Sequence, residues 1–274
     1  MKQGVVMCPG AWNGLVGAAI ARAGFNSCYI SGGATANASG YPDIGLITLT
    51  EMCRTIGEVS NASNLPVIVD ADTGYGEVEC LARTVVEYER SGAAGMHIED
   101  QEFPKRCGHL DGKTLVSQSA MVEKIKTASE NKLSDNFILI ARTDARGVDG
   151  LDAAIDRGNG YRDAGADMVF PEGLRSEEEF IQFAEQCPGL LLANMTEFGK
   201  TPHITAEQFG AFGYNLVIYP VTFQRVAMGA VTRCLDQLRT DQSAEGFESQ
   251  MQSRQELYDL LGYTPGEAWA FPTI

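Results

Sequence analysis

Asp70 and Asp72 stand two residues apart in the run PVIVDAD (66–72), with Gly74 and Gly76 close behind. On a strand, a spacing of two sends both carboxylates to one face. Two carboxylates held together call for a cation, and an oxygen-rich set with few histidines nearby suits Mg²⁺ or Mn²⁺ better than zinc. Glu99, at the end of the next apolar run, is the natural third acid. The competing explanation, an acid that only caps a helix at a strand-to-helix turn, suits Asp100 as well as a functional role does.

Cys107 lies in EFPKRCGHLDGK (102–113), a cationic segment punctuated by glycine. Such a segment can serve as a lid, with Gly108 and Gly112 as hinges and its basic side chains attracting an anion. With Arg106 beside it and His109 nearby, the Cys107 thiol is expected to have a lowered pKa, suited to giving and regaining a proton. The other six cysteines fit small buried hydrophobes. Arg142 and Arg225 at strand ends, and Arg254 in the final helix, are candidates for two-point recognition of carboxylates, with structural ion pairs as the alternative. Ser31, Gly32, Gly33, Asp144, Glu172, Asn194, Thr196, Glu197 and Tyr219 complete the strand-end set.

The elements that must position these groups are eight β-branched runs, at 4–9, 26–32, 66–72, 94–99, 137–143, 167–171, 190–195 and 215–220. Several lack strict alternation, as strands buried on both faces do, and helical patterns such as 81–91 and 151–164 separate them. Gly24, Gly92 and Gly165 each follow a helical stretch and supply a left-handed cap before the next strand. This parallel order favours a closed (β/α)₈ barrel over a doubly wound sheet, whose glycine-rich phosphate fingerprint Pro9-Gly10-Ala11-Trp12 does not match. One domain is expected over 1–274. Residues 222–262 predict two long helices, 222–238 and 247–262, more than a last barrel unit needs, so part of them is expected to pack on a partner subunit.

The bulk properties limit the function. The 274 residues are 44% hydrophobic, and no stretch approaches eighteen consecutive apolar residues. The N-terminus lacks the build of a signal peptide, so a cytoplasmic location is expected. Seven cysteines without a C-x-x-C pair argue for reduced thiols. A formal charge of -15 repels nucleic acid, so an anionic substrate must be held by arginines or a metal.

SGG (31–33), PDIG (42–45), DADTGYG (70–76), HIEDQ (97–101) and KRCGH (105–109) form one ordered set with ARTDA (141–145), FPEG (170–173), NMTEFG (194–199) and QSRQELY (252–258). From about residue 5 to 262 the chain resembles the isocitrate lyase and phosphoenolpyruvate mutase superfamily, and within it the 2-methylisocitrate lyases most. KRCGH is the mark of the lyase branch. The resemblance implies a TIM barrel that cleaves 2-methylisocitrate to pyruvate and succinate, with Asp43, Asp70, Asp72 and Glu99 around Mg²⁺. It implies Cys107 as the acid beside Gly108 and His109, and a substrate site of Ser31, Gly32, Gly33, Arg142, Glu172, Asn194, Thr196, Arg225 and Arg254. Phe170 and Ile218 fall where the family forms a small alkyl pocket. Pro220 stands where the oxaloacetate hydrolase branch generally has serine. Tyr29, then Glu172, are the candidate bases. A homotetramer with exchanged terminal helices is implied as well. The chain reads CGHLDGK where many methylisocitrate lyases read CGHR, which keeps another 2-hydroxy diacid such as 2,3-dimethylmalate open as substrate, with isocitrate behind it because isocitrate lyase proper is a considerably longer chain. Oxaloacetate hydrolysis or decarboxylation, and diacid binding without turnover, are the further alternatives.

Overall fold

The computed structural model describes residues 4–270, so both ends of the expected 1–274 unit lie outside the described residues. In chain order the elements are β1 (Val6–Pro9), α1 (Gly14–Arg22), β2 (Cys28–Ile30), α2 (Gly32–Ala38), α3 (Leu49–Ser63), β3 (Val67–Asp70), α4 (Val78–Arg90), β4 (Gly95–Glu99) and α5 (Gln118–Glu130). They continue as β5 (Ile138–Thr143), α6 (Leu151–Asp163), β6 (Met168–Pro171), α7 (Glu177–Gln186), β7 (Leu190–Asn194), α8 (Ala206–Ala211), β8 (Leu216–Tyr219), α9 (Thr222–Asp241) and α10 (Arg254–Leu261). Every strand falls inside one of the eight β-branched runs.

All neighbouring strands pair in parallel, in the order β1-β8-β7-β6-β5-β4-β3-β2. The ring closes through a bridge between Gly10 and Tyr29, where the Ala11 N–H donates to the Tyr29 carbonyl at 2.8 Å. Gly10 is required there, because a Cβ would overlap the Pro220 carbonyl. The result is a (β/α)₈ barrel. The expected glycine caps are present, with φ of 84° at Gly24, 104° at Gly92 and 112° at Gly165.

The period of two along each strand sorts its residues between two cores. Ile68, Ile140, Met168, Phe170, Leu192, Leu216 and Ile218 pack together inside the barrel with Cys8 and Tyr29. Their neighbours Val67, Val69, Met96, Ile98, Leu139 and Ala141 join the shell beneath the surrounding helices. Continuing the inward set toward the C-terminal ends of the strands leads to Asp70, Glu99, Arg142 and Asn194, so the barrel mouth is where the polar groups converge.

Two expectations need correction. The strand β3 stops at Asp70, and Asp72 sits beyond it in a turn at φ 47°, so a shared strand face is not what brings the two acids together. The second C-terminal helix is not continuous over 247–262: a short 3₁₀ turn over 245–250 precedes α10, which Ser253 starts afresh with a capping box to Glu256. α10 lies on α1, where Arg22 donates to the Asp259 carbonyl. No helix among the described residues is long and apolar enough to cross a membrane.

Candidate active site

At the barrel mouth lies a pocket of about 160 Å³. Of the residues expected there, Tyr29, Ser31, Gly33, Asp43, Asp70, Cys107, Gly108, His109, Arg142, Glu172, Asn194, Thr196, Pro220 and Arg225 line it, as do the apolar Phe170 and Ile218. Sequence reasoning missed Asn37, Lys105 and Val221 as lining residues. Asn37 had a readable signal, since it lies one helical turn after Gly33 on α2 and so on the same face.

Several candidates stand elsewhere. Arg254 is exposed on α10 and does not reach the pocket, because the chain turns back toward α1 after α9. Gly32 offers no free N–H for a substrate, since it donates to Asp70 Oδ2 at 3.0 Å. Asp72 borders a second cavity, of about 800 Å³. Asp100 is buried in a structural network, accepting from Thr143, Tyr161, Arg157 and the Asp144 N–H.

On one side of the pocket the acids gather around a lysine. The Lys105 ammonium, expected to be a surface lure for anions, is buried and paired with Asp43 and, at 2.8 Å, with Asp72. Burial alone would lower its pKa, but Asp72, Glu99, Asp70 and Asp43 raise it well above the ordinary value. Burial pushes Asp70 up, yet His97, Lys105, Arg142 and the Asp72 N–H outweigh it and hold the carboxyl below its usual value. Burial pushes Asp72 up to about 6 against the pull of Lys105. Glu99 is raised well above its usual value by burial, and neither of its carboxylate oxygens has a hydrogen-bond donor. Among the described residues no three His, Cys, Asp or Glu side chains are placed so as to hold a metal ion between them. The ammonium of Lys105 takes the cationic place among these acids.

On the other side the groups are cationic and hydrogen-bond donors. Arg142 is buried, bound to Asp144 through Nε at 2.9 Å and Nη2 at 3.2 Å, with Nη1 3.3 Å from Glu99 and 3.8 Å from Glu172. Burial opposes ionisation of Glu172, but Arg142 and His109 reverse the effect and hold it well below the usual carboxylate range. His109 Nε2 lies 2.9 Å from Glu172, while its Nδ1 accepts from the Lys200 N–H at 3.0 Å, which fixes the tautomer with the proton on Nε2. Asn194 donates to Glu172 at 3.2 Å and leaves its Oδ1 unpaired. Arg225 is exposed at the rim, bonded to Thr196 at 3.1 Å and to Glu197.

Cys107 departs from the sequence expectation in its ionisation. Its cationic neighbours suggest an acidified thiol, but its pKa is raised: burial dominates, His109 contributes only a backbone contact, and Asp43 and Glu172 add negative charge. Arg106 turns outward toward the Asp111 carbonyl. The segment is packed down on the site at Gly108. Gly108 packs so directly on Arg142 and Glu172 that a Cβ would overlap both. Tyr29, the first candidate base, is a buried phenol 2.7 Å from His97 Nε2, and burial with the Asp70 charge raises its pKa well above 10.

Comparisons with known proteins show the family. The family model described as phosphoenolpyruvate phosphomutase matches residues 1–239. The protein named probable 2-methylisocitrate lyase 1 from Corynebacterium glutamicum is 49% identical, over 94% of this chain and 85% of its own. The 2-methylisocitrate lyase of Aeropyrum pernix is 45% identical, over 96% of this chain and 84% of its own. The crystal structure of a 2,3-dimethylmalate lyase superposes with a TM-score of 0.89 at 37% identity, covering 94% of this chain and 87% of that one. The chain belongs to the phosphoenolpyruvate phosphomutase family.

Proposed function

We propose that this protein is a magnesium-dependent carbon-carbon lyase that cleaves 2-methylisocitrate to pyruvate and succinate. The observation that carries the reading is a thiol, Cys107, kept protonated by burial over a pocket that has carboxylates on one side and Arg142 on the other. A proton donor must be protonated at the start of its step, so the raised pKa suits this role better than the lowered one expected from sequence.

The donor types present suit a divalent cation, which would draw these side chains together from their pairing with Lys105. The oxygens of Glu99, which accept no hydrogen bond, with Asp70, Asp72 and Asp43 close by, are hard-oxygen donors beside the pocket. When bound, Mg²⁺ supplies charge stabilisation for the carbonyl and carboxylate oxygens of the keto acid. Lys105 must then share its acids with the ion.

The protein's own groups account for the rest. Arg142, Arg225 and Asn194 bind carboxylate and hydroxyl oxygens. The proton of the tertiary hydroxyl goes to Glu172, the ionised carboxylate on the Arg142 side, because the Tyr29 phenol stays neutral. The electron pair of the O–H bond forms the carbonyl of pyruvate as the carbon-carbon bond breaks. The electrons of that bond leave on the succinate fragment, which Arg142 stabilises as it develops charge. Cys107 then protonates its carbon. Phe170 and Ile218 give the substrate's methyl group an apolar wall. One methylene is worth only about 1–3 kcal/mol, so 2,3-dimethylmalate and isocitrate rank next as substrates.

The assembly we propose is a homotetramer of second copies of this chain. Its support is α9, which leaves Val226, Met228, Val231, Leu235 and Leu238 exposed. Free cysteines throughout suit a cytoplasmic setting. The test of function is a lactate dehydrogenase-coupled assay for pyruvate with 2-methylisocitrate and Mg²⁺, run alongside the other two substrates. Turnover above about 1 s⁻¹ is expected, with loss in EDTA and recovery on adding Mg²⁺. No cleavage of any of the three would overturn the lyase, and oxalate and acetate formed from oxaloacetate would replace it with the hydrolase.

A further inference from the structure

In the sequence Lys113 is only one more positive charge on the 102–113 segment, and in the fold it does not line the pocket. Its side chain is nevertheless buried, with 2% exposure, and its ammonium bridges two points. It donates to the carbonyl of Gly108 and, at 2.8 Å, to Oδ1 of Asp144. Asp144 is itself fully buried and holds both Nε and Nη2 of Arg142, while its N–H is fixed to Asp100 at 2.8 Å. One lysine thus ties the segment that carries Cys107 to the residue that orients Arg142.

The surroundings are shaped for this bridge. Gly147 leaves room for the amine, since a Cβ there would stand 3.2 Å from Nζ and 3.3 Å from Cε of Lys113. The base of the segment is closed by the bridge between Gln101 and Leu115, and the Gln101 side chain clasps the Arg106 backbone at 2.9 Å on both its N–H and its carbonyl. Before Cys107, Lys105 is anchored to Asp43 and Asp72; after it, Gly108 is anchored by Lys113. Cys107 therefore hangs between two buried lysines, and of these only Lys105 touches the pocket.

We infer that Lys113 is a positioning residue for Cys107: by bridging the Gly108 carbonyl to Asp144 it sets the height of the thiol above the pocket, in register with Arg142. The inference rests on the lyase reading for its catalytic consequence and on the geometry alone for the placement of the thiol. A charge-assisted donor on a backbone carbonyl resists displacement, and a shift of about 1 Å in a proton donor is enough to lower turnover by about 100-fold.

The test uses the full chain with Mg²⁺ and the variant Lys113→Met. Iodoacetamide labelling at about pH 8 is followed for each cysteine by peptide mass spectrometry, beside kcat and KM for the cleaved substrate. Labelling of Cys107 is expected to rise about tenfold while the buried Cys8 and Cys28 stay unlabelled, since only a local opening is involved. Turnover is expected to fall about 100-fold with KM within about threefold. Unchanged Cys107 labelling in a variant whose Cys8 and Cys28 remain protected overturns the inference, as does unchanged kcat. Where Lys113→Met exposes Cys8 and Cys28 as well, Gly147→Ala, which crowds the amine and keeps the charge, is measured the same way, and unchanged Cys107 labelling there overturns it. A wild-type protein that cleaves none of the substrates removes the lyase reading, and the labelling comparison still decides whether Lys113 holds the thiol.

Discussion

The ammonium of Lys105 lies 2.8 Å from Oδ1 of Asp72, both side chains being buried at the barrel mouth. A cation is therefore built into the acidic side of the pocket, next to Glu99, whose oxygens have no hydrogen-bond donors. Charge balance at this point rests on the lysine, and under the proposed metal dependence a bound ion would share it.

Replacing that lysine, as Lys105→Met, leaves the acids without their internal counter-charge and should destabilise the apo protein by about 3–5 kcal/mol. Added Mg²⁺ should then raise the melting temperature by more than it does in the wild type, because binding to the folded state alone stabilises it. Thermal unfolding with and without Mg²⁺ measures this. An equal Mg²⁺ shift in both proteins would show that Lys105 and the ion do not share a site.

Cys107→Ser removes an acid that can protonate carbon and puts a far weaker one in its place. The loss of general acid catalysis should lower kcat by about 100-fold or more while substrate affinity changes little. Steady-state kinetics paired with calorimetric binding separate the two quantities. Normal turnover in this variant would remove Cys107 from the reaction.

The ionisation of Cys107 is open to a pH experiment. Its pKa is raised above 9.0 by burial, so the thiol stays protonated through neutrality, and the thiolate, which is the alkylated form, accumulates only on the alkaline side. Labelling of Cys107 should therefore climb about tenfold per pH unit between about 7.5 and 9 without levelling off. A plateau below about pH 8 would restore the acidified thiol that its basic sequence neighbours suggested.

His97 is fully buried, stacked on Tyr29, and burial lowers its pKa to about 4. The group is neutral when folded, and the unfolded chain takes up its proton near 6.5. Its contribution to stability is thus complete above pH 6.5 and is lost as the pH falls toward about 4. That gap corresponds to about 3 kcal/mol. In His97→Gln the decline of stability across this window should be shallower than in the wild type by that amount. Denaturant unfolding at a series of pH values checks it, and parallel curves for the two proteins would refute it.

Much of the architecture is legible in the sequence. Each of the eight runs contains its strand because β-branched residues and their alternation are local properties, written in adjacent positions. The same alternation places Asp70, Glu99, Arg142 and Asn194 on the inner face at the strand ends, which is why so many of the site residues could be named from sequence. The glycine caps after α1, α4 and α6 are local in the same sense.

What only the tertiary structure decided is where each charge ends up. Arg106, next to Cys107 in the chain, turns away from it, whereas Asp43, 62 residues from Lys105, pairs with that lysine and raises the thiol's pKa. Lys105 and Lys113 look like surface charges in a polar loop, yet both are buried once the segment folds over the barrel mouth. The turn at Asp72, the engaged N–H of Gly32 and the distant place of Arg254 follow likewise from how separate elements approach one another. Desolvation and long-range pairing set the ionisation of a buried group, and neither is encoded in its sequence neighbours.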